Sequence, residues 1–335
     1  MKYVEAQGVR LSAVGVGTWQ FGSGEWGYGS RYAEETAPQI LERSLDLGVN
    51  LVDTAELYAF GRSERIVGRA LGRRRDEAFV ATKLLPILPV DPVVGWRARR
   101  SLQRLGMDHV DLYQIHAPNP VVPDTRIAPA LGALQAQGLT RHVGVSNYPL
   151  ARWQAMESAL GRPVLSNQVR YSLVDRRPER ELLPWAQEHD RVIIAYSPLG
   201  QGLLSGRYDE EHMPSGLRAR TPAFLPENVR ALSPLLDVLR DVAAAHQATC
   251  AQIALAWLVQ RKNVVVIPGA SSVAQAEANA ASADIELSAA EDEALTAASD
   301  AYRPIAGAAA LPAVVRARAE VVTRRLRRAA HALRT

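Results

Sequence analysis

The chain has 335 residues, 47% of them hydrophobic, a single cysteine and a formal net charge of +4. That length fits two ordinary domains or one large α/β domain, and because glycine and proline are spread rather than gathered into a linker, one continuous core is the simpler expectation. Cys250 alone excludes a disulfide framework and any cysteine-based metal site, and it fits a reducing compartment, with the cytoplasm as the default.

The first 22 residues hold no basic segment followed by an apolar one, and no run reaches the roughly 20 apolar residues that span a bilayer, so no signal peptide and no membrane partner are expected. Two extended pieces, at 3–7 and 10–13, open the chain. Brief β-rich runs then alternate with helical patterns. The runs are AVGVGTW (13–19), NLVDTA (50–55), AFVATK (78–83), VDLYQIH (110–116), RHVGVSN (141–147), LSNQVRY (165–171), VIIAYSP (192–198) and VVVIPG (264–269). Apolar residues recur at spacings of three and four over 38–47, 63–71, 92–105, 127–137, 150–160, 180–189, 228–246 and 273–283, which predicts helices. Strands apolar on both faces and separated by helices call for a parallel sheet. Eight such units with right-handed crossovers close most naturally into a (β/α)8 TIM barrel, here with a short N-terminal β-hairpin. The rival is an open doubly wound sheet, for which GSGEWG at 22–27 offers a literal G-x-G-x-x-G. That fingerprint needs a helix opening on its glycines, and no helical pattern begins before about Glu34.

In a barrel of this kind the functional groups stand at the C-terminal ends of the strands. Asp53, Lys83 and His116 end the second, third and fourth runs, and Tyr58 sits in the loop after the second. Each alone has an ordinary structural explanation: a helix cap, a surface lysine, a buried histidine, a rim aromatic. Their convergence on one rim argues for chemistry. Only Lys2, Lys83 and Lys262 are lysines among 39 basic residues, so Lys83 stands where arginine is the compositional expectation. The four groups suit proton transfer to a carbonyl oxygen as hydride reaches its carbon. Tyr58 is the acid, Lys83 lowers its pKa, Asp53 aims Lys83, and His116 orients the carbonyl. No HExxH or clustered carboxylates supply a metal, although Asp53, His116 and His142 leave a metal-dependent hydrolase as the alternative.

The blocks DTAELYAFGRSERIVGRAL, ATK, DLYQIH, HVGVSNY, YSPLGQGLLSGRY and VVVIPGASS, in that order, resemble the aldo-keto reductases, in particular the bacterial and plant branch related to the potassium-channel β subunits. The resemblance covers residues 8 to about 299 and implies the barrel, with Asp53, Tyr58, Lys83 and His116 as its catalytic tetrad. It also implies a nicotinamide dinucleotide, NADP before NAD, lying across the barrel mouth without a Rossmann fold. By position, Thr18 and Trp19, with Asp53, flank the nicotinamide end. Ser146, Asn147 and Gln168 bind its carboxamide, and Tyr196 stacks on the ring. Ser197, Pro198, Leu199, Gly200, Gln201 and Gly202 wrap the pyrophosphate, and Arg207 and Arg218 meet phosphate charge. Gly269, Ser271, Gln275 and Asn279 surround the adenosine. Ser272 is a departure, since many relatives carry there an arginine that contacts the 2′-phosphate. Trp19, Trp26, Tyr28, Tyr58, His116 and the loop 117–124 are expected to line the pocket for a small carbonyl substrate: a sugar, a ring ketone or an aryl aldehyde. The competing function is a redox-sensing NADP-binding accessory subunit of a larger assembly. It is disfavoured by the absence of a long segment before the barrel.

Residues 303–335 carry eight arginines against one glutamate, so the preceding residues carry 4 − 7 = −3. Val315, Ala319, Val322, Leu326, Ala329 and Leu333 form a helical stripe in this tail. The expected organisation is therefore a barrel over 1–300 and a basic helical C-terminal extension over 301–335. That helix would pack back on the barrel or form a homodimer seam, so the protein is expected to be a monomer or homodimer. The tail lacks interleaved aromatics, and no nucleic-acid partner is expected.

Overall fold

The computed structural model describes residues 1–23, 29, 31–209, 211–214 and 218–310. Trp26 and Tyr28, most of the 22–27 motif and the tail from 311 lie outside the described residues. The chain forms two compact units, residues 1–200 with 251–288, and residues 201–250 with the chain from 289.

The first unit opens with an antiparallel hairpin, β1 (Tyr3–Ala6) and β2 (Val9–Ser12). Eight parallel strands follow: β3 (Val16–Gly17), β4 (Leu51–Asp53), β5 (Phe79–Leu84), β6 (Val110–Ile115), β7 (Thr140–Ser146), β8 (Ser166–Arg170), β9 (Val192–Tyr196) and β10 (Val264–Val266). They pair in chain order from β3 to β10. A parallel bridge between Val14 and Val266 joins the ends, with Gly15 N donating to Val266 O at 2.7 Å, so the sheet closes into a (β/α)8 barrel. Glycine is required at this seam, because a Cβ on Gly17 would lie 2.6 Å from Ile267 O. Every sequence-predicted strand is present, with the first shortened to two residues.

Helices of this unit are α1 (Ala37–Asp46), α2 (Arg62–Leu71), α3 (Val93–Leu105), α4 (Asp124–Ala136), α5 (Leu150–Leu160), α6 (Leu182–Glu188), α8 (Cys250–Val259, entering from the second unit at its first residue) and α9 (Val273–Ala281). The second unit holds α7 (Pro226–Ala245) and α10 (Ala289–Ala301). The apolar period does not mark α8, because Ile253 to Val259 are all buried and a helix covered on every side carries no stripe.

The hairpin contributes Ala6, Val9 and Leu11 to one apolar cluster with Leu51, Ala81, Leu112, Val192, Ile194 and Val265. This packing seats the hairpin on the barrel interior. It leaves the other end of the strands, where the sequence turns polar, to carry the site.

Candidate active site

The strand register brings the polar side chains together. Asp53, the last residue of β4, pairs with Ala81, and two residues further along β5 is Lys83, which pairs with Gln114 of β6. Successive strand residues alternate between faces, so Ala81 and Lys83 share the inward face. Lys83 is fully buried, and its Nζ donates to Asp53 Oδ1 at 2.6 Å, to Thr54 O at 2.9 Å and to Tyr58 Oη at 3.0 Å. The ammonium thus has three acceptors for its three N–H bonds. Asp53 Oδ2 is held by Gln168 Nε2 at 2.7 Å. Both carboxylate oxygens are engaged, one by Lys83 and one by Gln168. Among the described residues no group of three or more His, Cys, Asp or Glu is placed to hold a metal.

Tyr58 follows β4 in a short turn, its N–H bonded to Ala55 O at 3.1 Å. Its ring stands edge-on to His116 at 6.0 Å between centroids and 6.5 Å from Trp19. His116 follows β6 directly and its N–H bonds Leu84 O at 2.9 Å.

Burial works against the Lys83 charge, but Asp53 and Tyr58 more than offset it, and the lysine pKa lies above its ordinary value. Burial also raises the Tyr58 phenol above 10.0, and Lys83 only partly opposes this. Here the sequence reading is corrected: the ammonium pulls the phenol pKa down as expected, but desolvation is the larger effect and the phenol stays protonated. His116 is pushed down to about 4, by burial first and by the Lys83 charge second. It is therefore neutral near pH 7, and its Nδ1 is buried without a partner.

The residues expected around a nicotinamide join this cluster. Ser146 Oγ donates to Gln168 O at 2.8 Å, and Asn147 Nδ2 donates to His116 O and to Ser146 Oγ, both at 3.1 Å. Tyr196 Oη donates to Asn147 Oδ1 at 2.9 Å, which pins a half-buried ring at the barrel mouth. Asn147 adopts φ +59°, a left-handed conformation that asparagine tolerates better than most residues. Amide and hydroxyl groups beside a pinned aromatic face fit a planar ring bearing a carboxamide. Thr18 is buried, its Oγ1 bonded to Asp53 O at 2.9 Å, whereas Trp19 is 45% exposed.

At the start of α9 the Ser271 N–H and hydroxyl both donate to Gln275 Oε1, at 2.8 and 2.9 Å, and Ser272 caps the helix by accepting from Gln275 N. Asn279 Nδ2 reaches Gly269 O at 3.4 Å. These expected adenosine residues therefore form one local cluster. Ser197, Pro198, Leu199 and Gly200 end the first unit's segment after β9, with Ser197 at φ +50°. Gln201, Gly202, Arg207 and Arg218 belong to the second unit, where Arg218 Nε donates to Gln201 O at 3.1 Å.

Two features escaped the sequence reading. Thr54 holds Lys83 through its backbone carbonyl, which no side-chain pattern signals. Glu56 accepts Leu85 N–H at 2.6 Å and pairs with Arg97, tying the loop after β4 to the loop after β5.

A family model described as the Aldo/keto reductase family matches residues 13–300. An uncharacterized oxidoreductase of Mycobacterium tuberculosis is 51% identical over 326 residues, 97% of this chain and 100% of its own length. An NADH-specific methylglyoxal reductase of Escherichia coli is 32% identical over 303 residues, 84% of this chain and 92% of its own. The crystal structure of an aldo/keto reductase from Klebsiella pneumoniae in complex with NADP and acetate has a TM-score of 0.71 at 30% identity, covering 90% of this chain and 96% of that one. With the barrel, the polar cluster at its mouth and a match over most of the length in agreement, the chain belongs to the aldo/keto reductase family.

Proposed function

We propose that the protein is an NAD(P)H-dependent oxidoreductase that reduces an aldehyde or ketone to the alcohol, with Asp53, Tyr58, Lys83 and His116 as its catalytic groups. The observation that carries this reading is the buried Lys83 ammonium placed between Asp53 Oδ1 at 2.6 Å and Tyr58 Oη at 3.0 Å. When bound, the reduced nicotinamide supplies the hydride that adds to the carbonyl carbon. The Tyr58 phenol gives its proton to the carbonyl oxygen, so one hydride and one proton convert C=O to CH–OH. Before reaction the phenol must be protonated, and burial keeps it so. As the proton leaves, phenolate charge develops 3.0 Å from a fixed ammonium, which stabilises the transition state more than the ground state. Asp53 keeps Lys83 charged. Neutral His116 donates from Nε2 to the carbonyl oxygen and so orients it.

Ser146, Asn147, Gln168 and Tyr196 would hold the nicotinamide, and Ser271, Gln275 and Asn279 the adenosine end. The preference is NADP over NAD. A relative's structure with NADP supports this, while the NADH-specific E. coli relative and Ser272 in place of an arginine weigh against it. Absorbance of NADPH and NADH, followed across aldehydes, ketones, sugars and methylglyoxal, tests the reading. Consumption of either cofactor that depends on a carbonyl supports it, and none with any member overturns it.

A further inference from the structure

Three fully buried hydroxyl groups form a chain behind the Asp53 and Lys83 pair. Thr18 follows β3, Thr54 follows β4, and Ser63 stands in the first turn of α2. Ser63 Oγ lies 2.7 Å from Thr18 Oγ1 and 2.9 Å from Thr54 Oγ1, and it reaches Thr18 O at 2.9 Å. All its partners therefore lie outside its own helix. Counting protons gives the chain a direction. Thr18 Oγ1 donates its one proton to Asp53 O at 2.9 Å, so Ser63 donates to Thr18, and the proton between Thr54 and Ser63 comes from Thr54. The hydrogen bonds run from Thr54 through Ser63 and Thr18 to the carbonyl of Asp53. They grip the backbone at Asp53 and Thr54, the two residues whose Oδ1 and O atoms respectively accept from Lys83.

The turn between Tyr58 and Ser63 needs such an anchor. Ala59 and Phe60 take φ of +46° and +54°, a left-handed conformation that is costly for residues with side chains and that persists where the surroundings over-determine it. One end of the turn is fixed by Lys83 Nζ, 3.0 Å from Tyr58 Oη. At the other end Glu64 is fully buried and accepts from Thr82 Oγ1 at 2.7 Å and from Arg104 Nε at 2.5 Å. Thr82 precedes Lys83 on β5, so α2 is tied to the strand that carries the lysine. Glu64 fastens the helix, and Ser63 fastens the backbone that holds Lys83.

Resting on the reading of Lys83 and Tyr58 as catalytic groups, we infer that Ser63 is a positioning residue for carbonyl reduction: through Thr54 and Thr18 it sets the backbone that holds Lys83, and with it the contact between ammonium and phenol. Fully buried, it acts only through these neighbours. Without its hydroxyl, Thr54 Oγ1 loses its acceptor and Thr18 Oγ1 its donor, and buried hydroxyls shift to find new partners. The Thr54 carbonyl moves with its side chain, and Lys83 no longer stands where phenolate charge develops. Misplacement of that kind lowers the rate of the chemical step rather than the affinity for the carbonyl.

The test compares the native protein with Ser63→Ala, with Thr54→Val, which removes the far end of the chain at nearly constant volume, and with Ser63→Ala in a Lys83→Met background. The cofactor and carbonyl are those that give the native protein its fastest turnover. The readouts are the single-turnover rate at saturating carbonyl and the carbonyl concentration that half-saturates it, and a melting temperature above that of the assay establishes that each variant folds. In Ser63→Ala and in Thr54→Val the saturated rate should fall by about tenfold or more, with half-saturation moved by less than about threefold. In the Lys83→Met background the Ser63→Ala change should cost less than about threefold, because no ammonium is left to misplace. A folded Ser63→Ala variant that keeps the native rate overturns the inference. So does an equal loss with and without Lys83, which would make Ser63 a merely structural residue. If Ser63→Ala does not fold, Thr54→Val, alone and with Lys83→Met, decides by the same measures. Hydrogen exchange separates this inference from the catalytic reading. Should the native protein reduce no carbonyl, the catalytic reading falls, and the Thr54 and Tyr58 amides, bonded to Ala81 O and Ala55 O at 2.8 and 3.1 Å, judge the anchor alone. Faster exchange of both in Ser63→Ala, with the β8 amides unchanged, keeps Ser63 as the anchor of the turn; unchanged exchange sinks it as well.

Discussion

Lys83 occupies a place in the barrel where three acceptors offset the burial of its charge. An unpaired ammonium at that depth would lose its proton, whereas Asp53, Thr54 O and Tyr58 give it three acceptors. Tyr58→Phe keeps the ring and removes only the transferable proton. We therefore expect kcat for carbonyl reduction to fall by about 10²–10⁴-fold while cofactor affinity stays within a few-fold, measured by steady-state rates and fluorescence titration. Retained turnover would remove Tyr58 from the role of acid. The pH dependence has a defined sign. His116 has its pKa lowered from 6.5 to about 4, so its neutral form persists as pH falls through 6.5 and gives way to the imidazolium only near 4. The acid limb of log(kcat/KM) should thus break well below the ordinary histidine value, and a break at 6.5 that His116→Gln abolishes would contradict the burial argument. In the same window the unfolded chain binds a proton that the folded chain does not, so stability declines as pH drops from 6.5 toward 4.

At the scale of elements, the sequence made the strands legible because each is a short apolar run between turn residues. The helices were legible where one face is buried: α2 keeps Ile66, Val67 and Leu71 inside and its arginines mostly outside. Legibility failed for α8, which is apolar all round, and for α10, where only Leu295 and Ser299 are buried. The proposed catalytic set could be picked out at strand ends because Asp53, Lys83 and His116 each close an apolar run. The net direction of the Tyr58 pKa was not, since burial depth is a property of packing. One contact was equally hidden. Gly68 of α2 meets α3 so closely that a Cβ would lie 2.0 Å from Leu105 O. Gly68→Ala gains helix propensity of up to about 1 kcal/mol, yet it must push two helices apart, at about 1–3 kcal/mol. We expect a net loss on that scale in urea denaturation, together with carbonyl reduction little changed, because neither helix carries a proposed catalytic group. A more stable variant would mean that the helices separate more easily than the packing implies.

For the whole molecule, the proposed cofactor site links binding to folding, because Asn147, Gln168 and Tyr196 meet only when β7, β8 and β9 are assembled. A ligand that binds the folded chain alone stabilises it by RT ln(1 + [L]/Kd), about 2.7 kcal/mol at a concentration about 100 times Kd. At equal concentrations NADPH and NADH therefore report their affinities as different rises in melting temperature, independently of any turnover. We expect the larger rise with NADPH. The difference should shrink as salt is raised, because recognition of the added phosphate is electrostatic and is screened. Ser272 caps α9 through Gln275 N, so the helix N-terminus offers polar contact there, without the bidentate grip that an arginine would add. Ser272→Arg should accordingly widen the gap between the two cofactors by tighter NADPH binding. Equal rises in the native protein, with a gap appearing only in Ser272→Arg, would mean that the native chain does not discriminate and that its preference for NADP is lost at this one residue.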